Sequence, residues 1–338
     1  MSAISYLTGK MGVNQKIFSS KARLGRLLEG TSLMFRLFFL KNEVVLIHYS
    51  IFPALFSKRL VSSPLFSAFI VGILERCGSW NTIYIEVNDL PYEQAVDLEL
   101  PKNRMDVFDR AIFTKNNLNF IFASIEMERY AEKKFSISKS RVSALINGSH
   151  SPDKDFDFPT WFGNERSGLV FVYAGSLNRG RQIDEMIRLF IGSNHSLVLL
   201  GVGGDWVQSE FNDSPNIYYM GSFPEKIAHG IVGKCDIGLI PYDENRFYYN
   251  ICYPTKASFY AASGLPILST PLTELRHHFS DDTAFFAPLS DWSSVLSDPD
   301  LSEKAKSMRS VMVQKTGLHF LWDNLWEAWL EENMGIVG

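Results

Sequence analysis

Lys256 is the residue best placed by its neighbours to bind an anion. It sits in Asn250-Ile251-Cys252-Tyr253-Pro254-Thr255-Lys256, ahead of Ala257 to Ser263 and then Gly264-Leu265-Pro266-Ile267-Leu268. Pro254 fixes φ and suits a helix start. Residues 255–263 then make about two helical turns, with Ala257, Tyr260 and Ala261 at i, i+3, i+4 spacing. Gly264 is placed to stop the helix, and Pro266 prevents its return. Ile267 and Leu268 open a short buried strand. The first helical turn leaves backbone N–H groups free and carries the positive end of the dipole. A lysine there adds charge where a phosphate can bind. A lone lysine on a helix is more often a solvated surface group, so the rest of the chain has to agree.

Three other stretches offer chemistry. Residues 169–173 read as a strand followed by Ala174-Gly175-Ser176-Leu177-Asn178-Arg179-Gly180-Arg181. The glycines allow close backbone approach, and Arg179 and Arg181 can give bidentate donors to a phosphate. The alternative is two solvated arginines. Residues 82–87 read as a strand ending in Asn88-Asp89-Leu90-Pro91. Ligands gather at the carboxyl ends of parallel strands, so Asn88, Asp89 and Glu93 are candidates to meet an acceptor molecule. The alternative is an Asx turn before proline. Near the start, residues 3–7 read as a strand, Thr8-Gly9-Lys10-Met11-Gly12-Val13 as a glycine loop, and 14–29 as a helix closed by Gly30. That order opens a Rossmann unit, although Gly-x-x-Gly is an incomplete dinucleotide fingerprint.

Two rounds of strand and helix must position these groups. The first has strands at 44–48, 82–87, 120–123 and 142–146, with helices at 64–76, 104–113 and 124–134, Ser124 serving as N-cap. Residues 149–166, rich in Ser, Pro, Asp and Gly, read as a linker. The second round has strands at 169–173, 196–200, 217–220 and 235–241. Two of them end in glycine turns, Gly201-Val202-Gly203-Gly204 and Gly221-Ser222-Phe223-Pro224. Residues 316–334 form an amphipathic helix with Trp322, Trp326 and Trp329 on one face, read as core. The expected domains are 1–160 and 167–312, with 313–338 as a terminal helix.

The chain has 338 residues, 46% hydrophobic and 21% charged, which suits two soluble α/β domains. Cys77, Cys235 and Cys252 are scattered without metal-type spacing, so reduced thiols and a cytoplasmic setting are expected. No run is long and apolar enough to span a bilayer. The net charge of −4 hides a split, with residues 1–150 at +6 and the rest at −10. A basic first lobe suits an anionic membrane or acceptor; plain solvated charge is the alternative.

The motif around Lys256, P-x-K-x-x-x-[YF]-x-[AS]-[AS]-G-[LIK]-P-[IV], resembles the donor segment of GT-B glycosyltransferases, especially family 4. Asp236-Ile237-Gly238-Leu239-Ile240-Pro241 and the order strand, Ser124, helix, strand, Asn147-Gly148 resemble the same family. The resemblance covers nearly the whole chain and is strongest over 169–270. It implies two Rossmann-like domains with parallel sheets facing across a cleft, the first binding the acceptor and the second a nucleotide sugar, with the terminal helix crossing back. It also implies transfer of a hexose-type sugar from a nucleotide diphosphate donor, UDP favoured, to a saccharide or lipid-linked acceptor in surface polysaccharide or glycoconjugate synthesis. Retention of the anomeric configuration follows from the resemblance alone; Asp89 as a base would suit inversion.

By the resemblance, Lys256 and Arg181 stabilise the leaving diphosphate. Gly9, Gly12, Gly175, Ser176, Arg179, Gly203, Ser222, Phe223, Asn250, Tyr253, Pro254 and Thr255 line the donor. Asn88, where the family usually has histidine, Asp89 and Glu93 meet the acceptor. No metal or other cofactor and no nucleic-acid partner is expected, and a peripheral membrane contact is. The family pattern has an arginine where this chain has Ser176, and two glutamates where it has Ile251 and Phe259. Arg179 and Glu244 are candidate substitutes. Those losses, as in divergent bacterial branches, keep open a catalytically silent partner subunit or a nucleotide-sugar epimerase of the same fold.

Overall fold

The computed structural model describes residues 22–152, 168–179 and 181–335, apart from the side chain of Lys315. The strand and glycine loop expected at 3–13, with Gly9 and Gly12, lie outside the described residues. The chain divides into two compact units. The first comprises residues up to Asn147 together with Arg246–Cys252 and the segment from Trp329 onward. The second comprises Gly148–Asn245 and Tyr253–Ala328.

In the first unit β1 (Val44–His48), β2 (Thr82–Val87), β3 (Asn119–Phe122) and β4 (Val142–Ala144) form one parallel sheet in that order. Their near-continuous apolar runs belong to parallel strands packed under helices. Ile83, Ile85, Val87, Phe120 and Phe122 have no solvent exposure. Pro64 opens the helix Pro64–Gly78 at its first turn, where a missing N–H is harmless. Ser124 caps Ile125–Phe135, its Oγ accepting the Met127 N–H at 3.1 Å. Tyr248 and Ile251, from the short helix Phe247–Ile251, enter the same core. Trp329 packs edge-on to Tyr84 at 5.4 Å and donates from its indole nitrogen to Ser143 Oγ at 3.1 Å.

Gly30 does not close a helix. The helix Arg23–Phe39 runs straight through it. A Cβ there would lie 2.4 Å from Phe56 Cζ, so the glycine gives room for a phenyl ring rather than an ending.

The second unit holds β5 (Val170–Ala174), β6 (Ser196–Leu200), β7 (Ile217–Gly221), β8 (Ile237–Ile240), β9 (Ile267–Ser269) and β10 (Ala284–Phe286). All are parallel, in the order β10-β9-β8-β5-β6-β7. The chain builds one way from β5 and then returns to add β8 on its other side. The expected terminal helix is shorter than its pattern. The chain breaks into a tight turn at Gly317–Phe320, and the α-helix starts at Trp322. The cause is close approach: a Cβ on Gly317 would meet the Ala261 carbonyl at 2.4 Å. Trp322 N–H donates to the Ser149 carbonyl at 3.0 Å, so the expected linker begins with a residue fixed in the fold.

Candidate functional site

The reversal of strand order lies between β5 and β8, and open parallel sheets bind ligands at the carboxyl ends of such a pair. Lys256 is delivered to that place. It starts the helix Lys256–Ala262, and Tyr260 stands four residues on, on the same face. Tyr260 Oη donates to the Leu239 carbonyl of β8 at 3.2 Å and accepts the Ala174 N–H of β5 at 2.8 Å. It thereby ties the helix to both strands. Gly238 makes room for that ring, since a Cβ there would lie 2.4 Å from Tyr260. The helix stops at Gly264, whose φ of +76° fits the left-handed turn expected of it.

Lys256 Nζ donates to Tyr242 Oη at 2.8 Å and to Tyr173 Oη at 3.3 Å. It lies 4.3 and 4.4 Å from the centroids of those two rings. Only 8% of the residue is exposed. A charge so enclosed is stabilised by aromatic faces and hydroxyls, and is held in one place before any ligand arrives. Gly175 borders it: with φ at +153°, a Cβ there would lie 3.3 Å from Lys256 Cε. Gly175 and Lys256, brought together only by the fold, are neighbours in space.

The other second-unit candidates spread over adjoining loops. Ser176 follows Gly175, and its carbonyl accepts from Tyr173 Oη at 3.0 Å. Arg179 pairs with Glu210 and lies 4.5 Å above the Trp206 ring. Arg181 is half-buried just before the helix Ile183–Arg188. Gly203 packs against the Asn178 side chain. Ser222 and Phe223 are exposed in the loop after β7. Tyr253 is buried with its hydroxyl 2.8 Å from Ser258 Oγ; Pro254 is buried and Thr255 exposed. Asn250 belongs to the first unit, where its amide donates to the Arg246 carbonyl at 3.0 Å.

In the first unit, polar groups collect at the carboxyl ends of β1 and β2. The Ser50 backbone N–H donates to His48 Nδ1 at 3.1 Å, and Ser50 Oγ lies 2.7 Å from the same atom. An accepting ring nitrogen carries no proton, so the neutral ring holds its proton on Nε2. Burial pushes the His48 pKa down and favours that neutral ring. Asn88 Nδ2 is placed 3.0 Å from Nε2. Two donors do not pair, so the Asn88 amide is turned over, its oxygen accepting from His48 and its NH2 facing away. Asp89 is exposed and accepts from Tyr248 Oη at 2.8 Å, while Tyr248 Oη accepts the Leu90 N–H at 3.2 Å. Glu93, by contrast, is 5% exposed and ion-paired with Lys134.

Sequence reasoning did not single out Tyr173, Tyr242, His48 or Tyr248. Each stands at a strand end or on a short helix, where tyrosine and histidine read as ordinary packing. The two positions where the family carries glutamate are packing positions here: Ile251 lies in the first core, and the Phe259 ring is 4.1 Å from that of His229. Glu244 is half-buried.

No family model and no curated protein matches the chain. Solved structures do. WaaG, a glycosyltransferase involved in lipopolysaccharide biosynthesis, is 14% identical over 70% of this chain and 72% of its own, with a TM-score of 0.54. HepE of Anabaena in complex with UDP is 10% identical over 99% of this chain and 90% of its own, with a TM-score of 0.65. The pneumococcal O-GlcNAc transferase GtfA in complex with UDP and GlcNAc is 12% identical over 78% of this chain and 54% of its own, with a TM-score of 0.56. At such identities the likeness concerns architecture. With its two parallel-sheet α/β units, of four and six strands among the described residues, the chain has the GT-B fold.

Proposed function

We propose that this protein is a glycosyltransferase that moves a hexose-type sugar from a UDP-sugar to a saccharide or lipid-linked acceptor. The observation that carries the reading is the enclosed Lys256 ammonium between Tyr173 and Tyr242, beside Gly175, at the strand-order reversal. HepE has been solved with UDP and with UDP-glucose, and GtfA with UDP and GlcNAc, which supports UDP as the nucleotide. In the reaction the bond between the anomeric carbon and the donor diphosphate breaks, and an acceptor oxygen bonds to that carbon. Negative charge grows on the leaving diphosphate, and a fixed cation stabilises it more in the transition state than in the ground state. Lys256 has that role, joined by Arg181, with Arg179 and the loops at Gly175, Ser176, Gly203, Ser222 and Phe223 around the donor. Asn88 and Asp89 attend the acceptor. Retention is the stereochemistry we assign on resemblance, and surface polysaccharide or glycoconjugate synthesis the setting.

A second reading has one observation in its favour. With Ile251 and Phe259 at the glutamate positions, the chain could bind a donor and leave catalysis to a partner subunit. Incubation with a panel of nucleotide sugars and candidate acceptors separates the readings. Release of UDP with a glycosylated acceptor supports transfer. Binding without release supports the silent subunit, and interconversion of the sugar without UDP release supports an epimerase. A peripheral membrane contact through the basic first lobe belongs to the same proposal. Among the described residues no helix is long and apolar enough to cross a membrane.

A further inference from the structure

One tyrosine in the first unit holds two points of the loop that follows β2. Tyr248 Oη donates to Asp89 Oδ1 at 2.8 Å and accepts the N–H of the next residue, Leu90, at 3.2 Å. A charge-assisted bond at Oδ1 stops the carboxylate turning, and so fixes where its second oxygen points. The Leu90 contact fixes the backbone beneath it. Tyr248 is 1% exposed, whereas Asp89 is at the surface. Burial, and then the charge of Asp89, raises the Tyr248 pKa well above its ordinary value. The phenol therefore keeps the proton that it donates.

The segment that carries Tyr248 is seated from outside. Residues Arg246–Cys252 belong to the first unit, although the chain on either side of them belongs to the second. Five of them form the helix Phe247–Ile251, too short to be stable by itself. Asp97 accepts the Phe247 N–H at 3.2 Å through Oδ1 and the Tyr248 N–H at 2.8 Å through Oδ2. It does for this helix what an N-cap residue does from within one. Arg246 donates to the Asp97 carbonyl at 2.8 Å, and Ser124 Oγ donates to the Ile251 carbonyl at the far end. Asp97 is also the last residue of the helix Pro91–Asp97, whose N-cap is Leu90. Tyr248 therefore touches that helix at both ends, its hydroxyl at the start and its backbone N–H at the finish.

Resting on Asp89 as the acceptor-side group, we propose that Tyr248 is a positioning residue for its carboxylate and that Asp97 seats Tyr248. The two bonds of Tyr248 Oη aim Asp89 before an acceptor arrives, and the Asp97 clamp keeps the tyrosine from withdrawing. Ile251, on the same helix, fills the core. Filling space at 248 needs only a phenyl ring; the hydroxyl that reaches an exposed carboxylate is what packing leaves unexplained.

Tyr248→Phe in the full chain keeps the ring and removes the hydroxyl. It should lower kcat for sugar transfer about tenfold, less than loss of Asp89 itself, and leave KM for the UDP-sugar unchanged. In an Asp89→Ala background the same change should cost nothing further, because a residue that acts through Asp89 has no second route. A tyrosine that serves only packing would add its loss to either background. Asp97→Ala, which leaves the hydroxyl and removes its seat, should give a loss of the same kind, and carries the test should Tyr248→Phe misfold by circular dichroism. Carbon-13 NMR of the Asp89 carboxyl needs no activity. A donor to the ionised form holds a carboxyl pKa down, so its loss raises it. The titration midpoint should rise by about one pH unit in Tyr248→Phe, the low end for a hydrogen bond to a charged group. The titratable groups on neighbouring elements are His48 behind Asn88, Glu93 paired with Lys134, and Cys252. All are the same in both proteins, so the difference isolates the hydroxyl. An unchanged midpoint, or equal losses in the two backgrounds, overturns the proposal. A raised midpoint in a chain that transfers no sugar would uphold Tyr248 as the residue that sets Asp89 and fault sugar transfer alone.

Discussion

Lys256 shows how a single residue becomes a site. Its surroundings in sequence, Pro254 before it and Gly264 after it, gave the helix and its end. The two tyrosines that enclose it could not be read the same way, because Tyr173 lies in β5, where tyrosine is common, and Tyr242 in the loop just after β8. Asp89 and Asn88 were legible from their place after a strand; His48 and Tyr248, which hold them, come from distant stretches. Two predictions belong here. Asp89→Asn should leave UDP affinity nearly intact and cut sugar transfer about a hundredfold, the low end for a positioned acid or base. Unchanged turnover would reduce Asp89 to a turn former. Nitrogen-15 NMR of the His48 ring should show the proton on Nε2 at neutral pH, with Nδ1 accepting from Ser50. A proton on Nδ1 would contradict the Asn88 orientation derived above.

Strands were the most legible elements, whereas the 17-residue helix Arg23–Phe39 was read as ending at Gly30. The runs at 44–48, 82–87 and 196–200 are strands with those bounds, because parallel strands under helices carry unbroken apolar stretches. Some of the elements that sequence missed are short. Phe247–Ile251 and Ile51–Phe56 have too few residues to show a helical period, and tertiary packing decides them. Gly30 was misleading because a glycine that makes room for a neighbour looks, in sequence, like a glycine that ends a helix; Gly317, read inside the terminal helix, lies instead where the chain turns before it. Gly30→Ala separates the two meanings. As a helix-interior replacement it should stabilise by about 1 kcal/mol. The contact with Phe56 instead predicts a loss of about 1–3 kcal/mol from overpacking. Urea unfolding of the variant gives the sign, and a gain in stability would contradict the packing account.

At the scale of the whole molecule, two rounds of strand and helix, the charge split and the GT-B resemblance were all present in the sequence. The strand order, with β8 beside β5, was not, since it depends on pairing between residues far apart in the chain. The buried acid Asp109 was equally hidden. Burial pushes its carboxyl up to about 8, opposed by the hydrogen bond from Tyr49 and by Lys134, and helped by Glu93 and Asp106. The unfolded carboxyl ionises near 3.8, so at neutral pH the folded state holds a proton that the unfolded state has lost. Stability should therefore fall as pH rises towards about 8. His229, pushed down to about 4 chiefly by burial, acts in the opposite sense, losing stability as pH falls below 6.5. Above that value the Asp109 slope stands apart, and Asp109→Asn should flatten the decline of melting temperature with pH. An equal decline in the variant would remove Asp109 as its cause. The central claim is that the second unit binds a nucleotide diphosphate at Lys256. A charge-assisted contact of this kind is worth roughly 1.5–3 kcal/mol, or about tenfold to somewhat over a hundredfold in affinity. Calorimetric titration of UDP into wild type and into folded Lys256→Ala measures it directly. The account predicts binding by wild type and a loss of about that size in the variant; equal affinities, or no binding by wild type, would contradict it.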